Sequence, residues 1–104
     1  MGYHVEFVEP VLDYLALVPR LTDKDRVAIV AGIIDELSDR ADQFFALRPL
    51  AHESLCFRYD FPYLTQEAGF NFDFVVDACN MAMGVVRVVY VEHTVEPIPP
   101  SATN

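Results

Sequence analysis

The sequence predicts an α+β fold: an N-terminal strand, then a two-helix hairpin packed on a C-terminal antiparallel β-meander. Three observations carry this prediction. Residues 3–8 alternate as a strand does, residues 22–44 place apolar side chains at helical spacing behind a strong N-cap, and the chain after residue 54 runs in short apolar stretches divided by turn residues.

Tyr3 to Val8 reads Tyr-His-Val-Glu-Phe-Val, with Tyr3, Val5 and Phe7 on one face and His4, Glu6 and Val8 on the other, which describes a half-buried strand. Proline suits the first turn of a helix, so Pro10 opens the first one; Val11, Leu12, Leu15 and Val18 follow at helical spacing until Pro19 ends the pattern. Thr22-Asp23-Lys24-Asp25 supplies a hydroxyl for free backbone N–H groups and carboxylates for the positive helix end. A long helix is expected from there, its core stripe Val27, Val30, Ile34, Leu37, Ala41 and Phe44, its solvated face Asp35, Glu36, Asp39 and Asp42. The short link from Leu17 to Thr22 makes the two helices a hairpin.

Arg48 to His52 reads as a connection around Pro49, and Ser54 to Leu64 as an aromatic strand alternating at Phe57, Tyr59 and Phe61. Pro62 lacks a ladder donor, so this strand is expected at an edge or with a bulge. After a turn at Thr65 to Gly69 come the two strongest strands, Phe70 to Ala78 and Val85 to His93, joined by Cys79 to Gly84. The valine run from Val85 to Val91 predicts a central last strand covered on both faces. Residues 1–96 form one expected domain, and 97–104, rich in proline, an unstructured tail.

Sixteen acidic against seven basic residues give a net charge of -9, which disfavours direct binding to a phosphate backbone. Apolar residues make up 53% of the chain and mean hydropathy is +0.23, so surplus apolar surface is expected to face a partner. The N-terminus lacks a basic, apolar leader and no apolar run reaches the ~18 residues of a membrane span; a cytoplasmic protein is expected, with Cys56 and Cys79 reduced and buried. His4 and His52 form no ligand spacing with either cysteine, and neither a metal nor a cofactor is expected.

The opening Tyr3-His4-Val5-Glu6-Phe7, the segment Phe57-Arg58-Tyr59 and the closing Arg87-Val88-Val89-Tyr90-Val91-Glu92-His93-Thr94, in the order strand, helix, helix and meander, resemble the RelE/ParE superfamily of toxins from type II toxin–antitoxin modules. The resemblance spans residues 3 to 94. It implies a ribosome-dependent messenger RNA endonuclease or a gyrase poison, neutralised by an antitoxin that wraps around it. The matching positions are Arg58, Arg87 and His93 as catalytic residues, with Tyr90 beside them. RNA cleavage needs a 2′-hydroxyl activated, phosphate charge stabilised and a leaving oxygen protonated; arginine serves the second task, and histidine or a carboxylate the others.

Two features depart from the nuclease pattern. Asn71-Phe72-Asp73 stands where an early third-strand arginine is common, and the whole chain is acidic. Plain alternation also puts Arg87, Val89, Val91 and His93 on one face but Arg87 and His93 roughly 20 Å apart. Structural cross-strand pairing of Arg58 and Arg87 with Asp60, Asp73 or Asp77 competes with phosphate binding. Met81 and Met83 form an apolar loop that either offers a contact surface or folds over the core. The functional expectation is a toxin-like module acting on translation or another essential protein target and held by an antitoxin-like protein. A non-toxic interaction domain that forms a homodimer or larger homo-oligomer is the alternative, and an active messenger RNA endonuclease the third reading; ribosome and gyrase enter only by family analogy.

Overall fold

A computed structural model describes residues 2–47 and 55–98 of the chain. Its elements are β1 (His4–Phe7), α1 (Glu9–Leu17), α2 (Asp23–Leu47), β2 (Cys56–Leu64), β3 (Ala68–Asp77), a single 3-10 turn at Met81–Met83, and β4 (Val85–Pro97). The sheet order is β1-β4-β3-β2. β2, β3 and β4 form the expected antiparallel meander, but the sheet as a whole is mixed: β1 joins as an edge strand parallel to β4, from His4 opposite Val85 to Phe7 opposite Val88. Parallel pairing needs a long crossover, and the helices with β2 and β3 supply it. The last strand is central, as predicted, and Pro62 lies on the edge strand β2.

The core is the helix-facing side of the sheet. Ala68, Phe70, Phe72, Phe74 and Val76 alternate inward along β3 and are buried, as is Ala78 just past its end, flanked by Phe57 and Tyr59 of β2 and by Val86, Val88 and Val91 of β4. The rings form a row, with Phe70 and Phe72 at 6.0 Å between centroids, Phe72 and Phe74 at 6.1 Å, and Tyr59 and Phe74 at 6.2 Å. Burying each such ring contributes about 2–3 kcal/mol. Ile29, Ile33, Leu37 and Ala41 of α2 and Val11 and Leu15 of α1 close the other side.

Only one face of β4 is covered, against the expectation of two: Arg87 and Tyr90 are exposed on the other. The strand also changes face partway. The pairing with β3 runs Val75 opposite Tyr90 and Val76 opposite Val88, so Val89 is an extra residue, a β-bulge. Before the bulge Val86 and Val88 point inward; after it Val91 and His93 do, opposite Phe74 and Phe72. β4 pairs with β3 as far as Pro97, and the Ile98 N–H donates to the Glu67 carbonyl at 3.1 Å, so the chain is held beyond the expected start of the tail. The remaining tail, 99–104, and the predicted connection from Arg48 to His52 lie outside the described residues.

α2 starts as its sequence dictates. The Thr22 Oγ1 accepts from the Asp25 N–H at 3.1 Å while the Asp25 carboxylate accepts from the Thr22 N–H at 2.9 Å, a reciprocal capping box. The Tyr63 hydroxyl donates to the other Asp25 oxygen at 2.8 Å and pins the helix start to the end of β2. The predicted stripe holds at Val30 and from Leu37 to Phe44 but fails at Val27 and Ile34, which are 69% and 40% exposed, while Ile29 and Ile33 take the buried places. The run Val27-Ala28-Ile29-Val30-Ala31-Gly32-Ile33-Ile34 is apolar on every side, so its period does not select a face. Gly32 lets α2 approach the sheet, since a Cβ there would lie 2.8 Å from Phe61 Cζ. Beyond it, the backbone of Arg40 leaves helical geometry (φ -130°, ψ 20°) and kinks the helix.

Glu36 is not part of the solvated face. It accepts a hydrogen bond from the buried Tyr59 hydroxyl and pairs with Arg40 at 3.4 Å. Desolvation, then the bond to Glu36, pushes the Tyr59 phenol well above its ordinary range. The expectation of two buried thiols also fails: Cys56 is half-buried and Cys79 exposed in the turn after β3. Met81 packs against the core while Met83 is 81% exposed, so the apolar loop divides between its two readings.

The Thr22 N–H, followed by the Tyr63 hydroxyl, holds the Asp25 carboxyl below its ordinary value. Depression in the folded state makes Asp25 stabilising above the unfolded pKa of about 4, and that contribution is lost as pH falls through the lower folded-state value. Thermal melts of the Asp25→Asn variant should therefore fall below wild type at pH 6 and converge with it near pH 2. A gap that widened on acidification would contradict this linkage.

Candidate functional site

The three residues singled out by resemblance do not meet. Arg58 lies on the outer face of the sheet and pairs with Asp73 at 3.4 Å. Arg87 lies on the same face, where it pairs with Glu6 of β1 at 3.1 Å. His93 is on the opposite, helix-facing side, because the bulge at Val89 reverses the alternation that would have grouped it with Arg87.

The outer face has the wrong charge for a phosphate platform. Asp60, Asp73 and Glu92 stand opposite one another across β2, β3 and β4, and Asp77 stands opposite Arg87. With Glu6 these carboxylates outnumber Arg58 and Arg87, so an approaching phosphate meets net repulsion. Tyr90 donates to Glu92 at 3.1 Å, and that bond raises its phenol above the ordinary value. Cys79 bonds to Asp77 through its thiol and its N–H, which lowers the Asp77 carboxyl and raises the thiol. A thiol shifted that way has less thiolate character than an unperturbed one.

His93 sits between Phe70 and Phe72 of β3, at 6.4 and 5.7 Å between ring centroids, with Tyr14 of α1 edge-on at 5.6 Å. The Tyr14 hydroxyl is 2.6 Å from Nδ1. With the phenol assigned as the donor to Nδ1, the ring proton is assigned to Nε2. Arg20, in the turn after α1, borders the same region and is the one described non-glycine residue with positive φ, at 71°. That conformation costs an L-residue about 1–2 kcal/mol. Nothing in the local sequence marks Tyr14 or Arg20: Tyr14 meets His93 only through the docking of α1 on β4, and Arg20 borders the same cleft from the turn that follows.

A second feature lies between the helices. Leu12, Leu15 and Ala16 of α1 and Val27, Val30, Ala31 and Ile34 of α2 line an apolar groove of about 460 Å³. Arg26 closes one end: its Nε donates to the Leu15 carbonyl at 3.1 Å and an Nη to the Val18 carbonyl at 3.3 Å, capping α1. Exposed Asp13 and Asp35 adjoin Leu12 and Ile34 in sequence.

Among the described residues there is no group of histidine, cysteine and carboxylate side chains fit to hold a metal ion, and no helix is long and apolar enough to cross a membrane. Comparison of the chain with family models, curated proteins and solved structures returns no match.

Replacing Tyr14 with phenylalanine removes the donor to Nδ1. The Tyr14→Phe variant should lose about 1 kcal/mol of stability, and the His93 ring in ¹⁵N spectra should pass from a single Nε2–H tautomer to a mixture. An unchanged tautomer would show that the hydroxyl does not set the ring's protonation.

Proposed function

We propose that this chain is a RelE/ParE-like toxin module that works through protein contacts and is held by an antitoxin-like partner in the groove between α1 and α2. The carrying observation is the groove itself: it gathers Leu12, Val27 and Ile34, each between 40% and 69% exposed, along one apolar surface shared by the two helices. The element order strand, helix, helix and meander supports the family reading. The net charge of -9 favours a basic amphipathic helix as the occupant. RNA cutting by Arg58, Arg87 and His93 is the weaker branch, since two of them are engaged in ion pairs on one face and the third lies on the other.

Induced expression in bacteria tests this. Growth should stop without new messenger RNA cleavage, and coexpression of the small protein from the adjacent reading frame should restore it. Ile34→Asp, at an exposed helical position, should fold normally, keep its toxicity and bind that protein at least tenfold more weakly, as expected for a charge placed in an apolar contact. Growth unaffected by induction would remove the toxin reading, and a concentration-dependent dimer lost in Ile34→Asp would turn the groove into a homodimer interface.

A further inference from the structure

A separate ligand site, independent of the toxin reading, is formed where three segments converge. Tyr14 comes from α1, Arg20 from the turn after it, and His93 from the far half of β4. His93 stands at the junction of two clefts, one of about 410 Å³ with Pro19, Arg20, Val95 and Pro97, the other of about 170 Å³ shared with Tyr14. We infer that the larger cleft binds a small apolar monocarboxylate, its carboxylate held by Arg20 and the free N–H of His93 and its body against Pro19, Val95 and Pro97.

Arg20 forms no ion pair among the described residues, in a chain with sixteen carboxylates. On its other side it borders a wider cleft with Lys24, Asp25 and Glu67, but Asp25 is already engaged by Thr22 and Tyr63. A guanidinium with its fork open is the side chain best matched to a carboxylate, which it grips with two parallel hydrogen bonds. Its left-handed backbone adds to the case: glycine or asparagine would occupy that position more cheaply, and strain of this kind concentrates where a side chain must be presented.

His93 supplies the second donor. With Nδ1 taken by the Tyr14 hydroxyl, Nε2–H is the ring group left for a ligand, and the Phe70 and Phe72 rings hold the imidazole in place. The cleft is of the size that small molecules use, and its proline and valine walls favour an apolar body. The net charge of -9 selects among anions, because it opposes a phosphate dianion more strongly than a singly charged carboxylate.

Sodium benzoate is the probe, titrated into the full chain at constant ionic strength and followed by the amide and ring resonances of Arg20, His93 and Val95. Saturable shifts with a Kd on the order of millimolar are expected, with acetate, which lacks the apolar body, and inorganic phosphate each at least tenfold weaker. Arg20→Gly should melt no lower than wild type, because glycine accepts the positive φ, yet lose benzoate binding at least tenfold; Arg20→Asn serves as a second variant compatible with that backbone. Shifts that do not saturate, benzoate binding unchanged in both variants, or phosphate binding as tightly as benzoate would each overturn the assignment.

Discussion

The extra residue in β4, Val89, decides which face each later side chain of that strand occupies. A strand alternates with a period of two, so one inserted residue exchanges the faces of all that follow. Here the exchange satisfies two demands together. Val86 and Val88 cover the core before the bulge, and Val91 and His93 cover it afterwards against Phe74 and Phe72, while Arg87, Tyr90 and Glu92 stay outside. Without it, Val91 would face water and Glu92 the aromatic row.

This register also separates the two chemistries of the sheet. Outside, Arg58 and Arg87 are bound into pairs with Asp73 and Glu6 on a face where carboxylates prevail. Inside, His93 meets Tyr14 and comes near Arg20, a neighbourhood that exists only because α1 docks on β4. The helices, for their part, are tied by Arg26 rather than by close packing along their length, which leaves the apolar groove between them.

Much of the fold was legible in the sequence because its signals are local. Pro10 and the Thr22–Asp25 box mark helix starts, the β2–β3–β4 alternation gives the meander, and the valine run makes β4 central. The parallel pairing of β1 was not legible, since no local pattern says which neighbour an edge strand joins. The face of α2 was misread at Val27 and Ile34 because apolar side chains there surround the helix. For the candidate site, His93 was visible as a residue but its surroundings were not: five nearly continuous valines in β4 hide a bulge, and Tyr14 lies 79 positions away in the chain. Arg20 carries no sequence signal, since its positive φ belongs to a turn where glycine would ordinarily be expected.

The bulge is tested most directly by nuclear Overhauser contacts from the His93 ring in the isotopically labelled protein. With Val89 bulged, the imidazole protons should show cross-peaks to the rings of Tyr14, Phe70 and Phe72, whose centroids lie between 5.6 and 6.4 Å away. Cross-peaks from His93 to outer-face side chains such as Asn71 or Thr94, with none to those three rings, would mean an uninterrupted strand and would contradict the account.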